Sequence, residues 1–399
     1  MKILFLSTWF PYPLNQGSKI RGYHLLKALA DQHDVALASF EDAELRPEWL
    51  DHIRSLCPVV ETLPRKPFQT SRLKSVLGWL SPKPNTVTAI RSPEMSALAR
   101  RMAQSWRPEC IVALTYVTAP YALEAEGAVR VVDIDNVMTR MLYELVPLAR
   151  SAPERFRRWL AYRKFLAYEK SLYPRFERAL AVTENDRRDA QQWFGLEPQQ
   201  LLVVPNGVET AAGDFQSYAP EPGALIFNGA LTYSANYDAM EFFLGEIFPE
   251  VVRQAPEATL RITGSAAGVD LGRLAINDHV ELTGYLDDVR PAVAQSWACV
   301  VPLRIGGGTR LKILEAMALG TPVICTSKGA EGLAAQNEVH LLIADDPHAF
   351  IEQTLRLLRS PDLRQRLSQN ARRLMQEKYD WAAIEKDFCA QIEAIVSRN

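Results

Sequence analysis

The sequence predicts an α/β protein of two doubly wound domains, each built on a parallel sheet. Three observations carry that prediction. At 399 residues the chain is too long for one ordinary core. Its strand candidates, such as Ile3–Leu6 and Cys110–Leu114, are unbroken apolar runs, the form taken by strands buried on both faces. Strand candidates in the second half end in glycine loops, which sets open backbone along one sheet edge, where ligands of such sheets lie.

Hydrophobic residues at 48% and charged residues at 23% suit a globular enzyme. Net charge is −2 but unevenly spread: residues 1–190 hold 28 Lys and Arg against 21 Asp and Glu, the remainder 17 against 26. The first half is therefore expected to meet something anionic. Cys57, Cys110, Cys299, Cys325 and Cys389 are odd in number and widely spaced, which argues against disulfides or zinc and for a reducing cytoplasm. Met1–Phe10 lacks a cleavage site and reads as a buried strand rather than a signal peptide. No apolar run reaches the ~20 residues a membrane span needs.

The chain opens β-loop-α-β, with a strand at Lys2–Ser7, a loop at Thr8–Ser18, a helix at Ile20–Ala30 and a strand at Val35–Phe40. Gly17 and Ser18 belong at the carboxyl end of the first strand, with Lys19 and Arg21 close behind; a simple turn before a helix is the plain alternative. Residues Leu63–Asn85 mix Arg65, Lys66, Arg72, Lys74 and Lys83 with Leu73, Val76, Leu77, Trp79 and Leu80. They suit either an anionic membrane surface or a helix packing its stripe inward. Further strands read at Val129–Ile134 and Ala179–Thr183. Asp133-x-Asp135 invites a metal reading, but no further carboxylate or His joins them, so Asp135 or Asn136 reads instead as a substrate-facing residue. Glu154–Arg178 is a basic helix, broken at Pro174, whose aromatics (Phe156, Trp159, Tyr162, Phe165 and Tyr168) are expected in the core.

A polar connection at Leu196–Gln200 precedes a strand at Leu201–Val204, which is taken to open the second domain. The domains are then 1–200, with about 381–399 returning to it, and 201–380. Strands at Leu225–Phe227, Leu260–Thr263 and Val280–Thr283 end in Asn228-Gly229, Gly264-Ser265 and Gly284-Tyr285. The central stretch, Val300–Cys325, reads strand, Gly306-Gly307-Gly308, helix, Gly320, strand. Thr309 suits an N-cap, giving a helix over about Arg310–Leu319 stopped at Gly320. A helix N-terminus behind a glycine turn is a natural phosphate site, and Arg310 and Lys312 place cations there against the helix dipole. Glu315 suits vicinal sugar hydroxyls. From Ala349 the tail is helical, broken at Pro361, with a last helix from Trp381.

These residues resemble the retaining glycosyltransferases of family 4, which have the GT-B architecture. The motifs are Val204-Pro205-Asn206-Gly207-Val208, Phe227-Asn228-Gly229 followed by Asn236, Leu282–Val289, Pro302–Val323 and Tyr379-Asp380-Trp381. The resemblance spans the chain, stronger after Leu201, and is greatest to bacterial polysaccharide-assembly transferases. It implies two Rossmann-like domains about a central cleft, a nucleotide-sugar donor on the C-terminal domain, and a glycan or lipid-linked acceptor on the N-terminal one. It implies no metal or other cofactor. Peripheral contact with the inner face of an anionic membrane is an open expectation; no nucleic-acid partner is expected. By position, Glu315 would bind the ribose, and Arg310 and Lys312 the diphosphate. Gly17 would approach the diphosphate, and Gly284 and Tyr285 would border the base. Ser18, Asn228, Gly229, Gly264, Gly306, Gly307, Gly308, Thr309 and Leu311 complete the expected donor set. Arg310, Lys312, Asp135 and Asn136 are the expected catalytic residues.

Three departures stand out. The family often places Glu where Gly307 stands. A basic residue usual after Gly229 is replaced by Ala230, Leu231 and Thr232. Asp135 or Asn136 stands where relatives often carry His. Two rival functions follow: a sugar-nucleotide epimerase or hydrolase of the same architecture, and a non-catalytic nucleotide-sugar-binding subunit.

Overall fold

The computed structural model describes residues 1–41, 45–65, 81–210 and 218–398, so residues 66–80 of the basic segment expected at Leu63–Asn85 lie outside the described residues. The chain divides into two units, Met1–Pro205 with Ala382–Asn399, and Asn206–Trp381.

Among the described residues the first unit holds seven parallel strands: β1 (Lys2–Ser7), β2 (Asp34–Glu41), β3 (Val59–Pro64), β4 (Cys110–Leu114), β5 (Val129–Asp133), β6 (Arg178–Ala181) and β7 (Leu201–Val203). Their order is β3-β2-β1-β4-β5-β6-β7, so the winding reverses between β1 and β4. Consecutive residues Ile3–Ser7 are all buried, as an apolar run covered on both faces requires. On one face Leu4, Leu6, Ala36, Ala38, Ile111 and Ala113 pack with Met95, Leu98 and Met102 from the helix Pro93–Trp106.

The strand expected to open the second domain is instead the last strand of the first sheet: β7 pairs in parallel with β6 through Ala179–Leu201 and Ala181–Val203. The division therefore falls after Pro205. The first helix also starts earlier than expected, at Gly17 rather than Ile20. Helix Ala152–Leu172 ends before a separate 3-10 turn at Tyr173–Arg175, where Pro174 cannot continue the ladder. Its aromatics do not all reach the core. Phe165 is buried, but Phe156 is 53% and Trp159 44% exposed. At about 100° per residue they lie roughly 180° and 120° around the helix from Phe165.

The second unit holds β8 (Ala224–Asn228), β9 (Thr259–Thr263), β10 (Val280–Gly284), β11 (Ala298–Val301), β12 (Val323–Cys325) and β13 (Leu342–Ile343). The order β10-β9-β8-β11-β12-β13 is again parallel and reverses between β8 and β11. The two-residue β13 has no signal in the sequence. Among the described residues no helix is long and apolar enough to cross a membrane.

Candidate active site

In the second unit, the carboxyl end of β8 lies at the reversal of the sheet, the usual ligand position. Asn228 Nδ2 donates to Glu315 Oε2 at 2.8 Å, and Cys299 Sγ donates to Asn228 Oδ1 at 3.4 Å. Gly229 follows, and a Cβ there would fall 2.6 Å from Lys312 Nζ and 2.8 Å from Asn236 Nδ2. Only glycine lets these two side chains come so close. Gly264, at φ +88°, packs against the same turn: a Cβ would meet Ala230 N at 2.7 Å. Its N–H donates to Gly284 O at 2.7 Å, and Leu231 N–H to Ser265 O at 3.0 Å. The loops after β8, β9 and β10 are thereby stitched side by side, with Tyr285 exposed beyond them.

Lys312 crosses to this edge from the first turn of helix Leu311–Leu319. Its Nζ donates to Asn236 Oδ1 at 2.8 Å and stands 3.7 Å from the centroid of the Phe227 ring. Asn236 is held in turn by donating to Ala230 O at 2.9 Å. Burial lowers the Lys312 ammonium to about 7, with the Arg310 charge adding and Cys299 and Glu315 opposing. Burial raises the Glu315 carboxyl above its usual range, against the Asn228 hydrogen bond and the Arg290 charge. A half-buried cation and a half-buried acid stand one turn apart on the same helix, with a glycine turn before them, an arrangement that can hold an anion beside a diol.

Arg310 does something the sequence did not suggest. Its Nη2 donates to Gly306 O at 2.7 Å and its Nη1 to Gly308 O at 3.1 Å and to Gly307 O. The guanidinium is wrapped by its own glycine loop. This overturns Thr309 as N-cap: the helix starts at Leu311, and Arg310 occupies the cap position with no side-chain cap bond. The loop carbonyls turn inward to Arg310, so the loop does not pass directly into a helical turn at 309. Gly320 ends the helix at φ +81°, as expected.

In the first unit Ser18 Oγ donates to Asp135 Oδ2 at 2.6 Å, which brings the first turn of the first helix to the end of β5. Gly17 begins that turn. Burial, then the neighbouring Asp133, raises the Asp135 carboxyl above its usual range, while Arg21 and Ser18 pull it down. Asn136 Oδ1 is buried without a hydrogen-bond partner among the described residues. Asp133 is committed elsewhere: Arg21 grips it with Nε–Oδ2 at 2.8 Å and Nη2–Oδ1 at 2.6 Å and also donates to Val204 O at 2.9 Å. Arg21 is thus a buried tie between the first helix, β5 and the end of β7. The Asp-x-Asp pair is a structural ion pair beside a separate carboxyl.

Sequence reasoning left two features out of the site. Asn236 belongs with Lys312, and its only signal was its place after Asn228-Gly229. Thr115 adopts φ +66° at the carboxyl end of β4, with Oγ1 2.9 Å from Thr8 Oγ1. A left-handed β-branched residue costs on the order of 1–3 kcal/mol and marks a site where the fold holds strain. It lies at the reversal of the first sheet, and nothing in its own sequence signals that conformation.

Known proteins resemble the chain in sequence and in fold. The family described as Glycosyltransferase Family 4 matches residues 17–212, and the one described as Glycosyl transferases group 1 matches 222–360. An uncharacterized 44.6 kDa protein in the cps region of Klebsiella pneumoniae is 22% identical, over 95% of this chain and 96% of that one. Sucrose-phosphate synthase from Thermosynechococcus elongatus has a similar fold, with TM-score 0.72 at 15% identity over the full length of both chains. Anabaena HepE, solved with UDP and glucose, has TM-score 0.69 at 15% identity, covering 99% of this chain and all of that one. The chain belongs to the family 4 glycosyltransferases and has their GT-B architecture of two Rossmann-like domains.

Proposed function

We infer that this glycosyltransferase moves a sugar, with retention, from a UDP- or GDP-sugar to a glycan or lipid-linked acceptor in bacterial polysaccharide assembly. The observation that carries the reading is the convergence of Lys312, Asn236, Gly229, Asn228 and Glu315 at one helix N-terminus and one strand end. Lys312 takes the diphosphate, and so replaces the basic residue absent after Gly229. Glu315 Oε2 holds Asn228, and its other oxygen takes the ribose hydroxyls. Gly284 and Tyr285 border the base. Arg310 shapes the Gly306–Gly308 loop and adds its charge to the phosphate side. Gly17, Ser18, Asp135 and Asn136 serve the sugar and acceptor. HepE in complex with UDP supports a uridine donor, and the cps-region relative supports polysaccharide as product.

The reaction breaks a sugar–phosphate bond through an oxocarbenium-like centre. In the front-face course the leaving diphosphate oxygen accepts the acceptor's proton, so the paired carboxylates of retaining glycosidases are not required. The protein's part is to orient the reactants and stabilise charge growing on the diphosphate. No metal or cofactor enters this scheme. The exposed Phe156–Trp159 pair, stacked at 5.9 Å beside Arg155, Arg157 and Arg163, suits contact with an anionic membrane. The test is product stereochemistry: anomeric proton NMR of the purified product should show the donor's own configuration. Inversion would overturn the retaining course, and hydrolysis unaffected by any glycan acceptor would favour the hydrolase rival.

A further inference from the structure

We propose that His33, Cys389 and Glu393 form a zinc site that fastens the C-terminal helix to the turn after the first helix. His33 follows that helix directly, its N–H donating to Leu29 O at 2.8 Å. Cys389 and Glu393 are four residues apart on the helix Trp381–Val396 and so share a face. All three belong to the first unit. Among the described residues they are the one group of three or more such side chains gathered closely enough to hold a metal.

The spacing fits zinc. His33 Nε2 lies 3.5 Å from Cys389 Sγ and 3.3 Å from Glu393 Oε1, and all three ligand atoms fall within 4.8 Å of one another. A tetrahedral ion with bonds of ~2.3 Å to sulfur and ~2.0–2.1 Å to nitrogen and oxygen needs edges of about 3.6 Å and about 3.4 Å. An ion fits these two edges with little movement of the backbone. Thiolate, imidazole and carboxylate together suit zinc rather than magnesium or calcium.

Glu393 is half exposed, leaving the fourth position to water. Four residues earlier on the same helix face, Glu385 Oε1 meets His24 Nδ1 at 2.6 Å, so the metal would be the second fastening along this seam.

The test is cobalt titration of the full chain after chelator treatment. One equivalent should bind and give tetrahedral ligand-field bands with a near-ultraviolet thiolate-to-cobalt charge-transfer band, both displaced by zinc. Cys389→Ser should remove the charge-transfer band, and Cys57→Ser should keep it. His33→Ala and Glu393→Gln should each weaken binding by about tenfold or more. Zinc should raise the Tm of the wild type and leave that of Cys389→Ser unchanged. If Cys389→Ser fails to fold by circular dichroism, Glu393→Gln, altered at a half-exposed side chain, carries the same comparison. Absence of the near-ultraviolet band at saturating cobalt, or its persistence in Cys389→Ser, would overturn the proposal.

Discussion

Lys312 Nζ donates to Asn236 Oδ1 at 2.8 Å, within 4 Å of the Phe227 ring centroid, and this pair is the proposed seat of the donor's phosphates. The ammonium is held near neutrality by burial, so its charge becomes full when an anion arrives.

The first prediction concerns pH. Lys312 titrates near 7 before the donor binds. Donor binding requires the charged form, so kcat/KM for the donor should fall above about pH 7, approaching tenfold per unit. A bound diphosphate raises the Lys312 pKa, so the corresponding fall in kcat should begin at higher pH. Coincident limbs in the two profiles would count against this role.

Replacing the lysine separates stability from function. Lys312→Met removes a partly buried charge from an apolar contact, so the free protein should gain stability, on the order of 1 kcal/mol. Turnover should drop by about a hundredfold or more, as for other losses of transition-state charge stabilisation. Thermal unfolding and steady-state kinetics on one preparation check both halves.

Two glycines should fail in different ways. In Gly229→Ala the new methyl meets the tips of Lys312 and Asn236, which can swing aside, so donor affinity should fall while Tm changes little. In Gly264→Ala the methyl meets the Ala230 backbone, and φ is +88°. That change should cost about 2 kcal/mol or more of stability. Denaturant unfolding and donor calorimetry of both variants make the comparison.

A buried carboxyl sets a further pH dependence. Glu169 accepts from Thr139 N–H at 3.0 Å, from Thr139 Oγ1, and from Tyr173 OH at 3.2 Å, yet burial raises it to about 7. The folded protein therefore binds the proton more tightly than the unfolded chain. Its contribution is fully present below the ordinary carboxyl pKa and is lost as pH rises through about 7, on the order of 3 kcal/mol. Unfolding free energy measured from pH 4.5 to 8 should show this decline in the wild type and lose most of it in Glu169→Gln.

Much of the fold was legible because buried parallel strands write themselves as apolar runs. Leu225–Phe227 and Cys110–Leu114 needed no context to be read. β7 was legible as a strand but not as to its sheet, since pairing with β6 is a tertiary fact. Lys312 and Glu315 could be found because a cation and an acid sit one turn apart behind three glycines. The Arg310 fold-back could not, because a side chain choosing its own loop's carbonyls over solvent leaves no periodic trace. Cys389 read as an isolated thiol for the same reason: His33 lies 356 residues away in sequence and meets it only in the fold.

The most direct test of the donor site is calorimetry with UDP, GDP, ADP and their common sugars, first without added metal and then with EDTA. One nucleotide should bind selectively, with an affinity that EDTA leaves unchanged, and Lys312→Ala and Glu315→Ala should each weaken the binding. No binding by any of them to the wild type, or binding that both variants retain in full, would contradict the donor site.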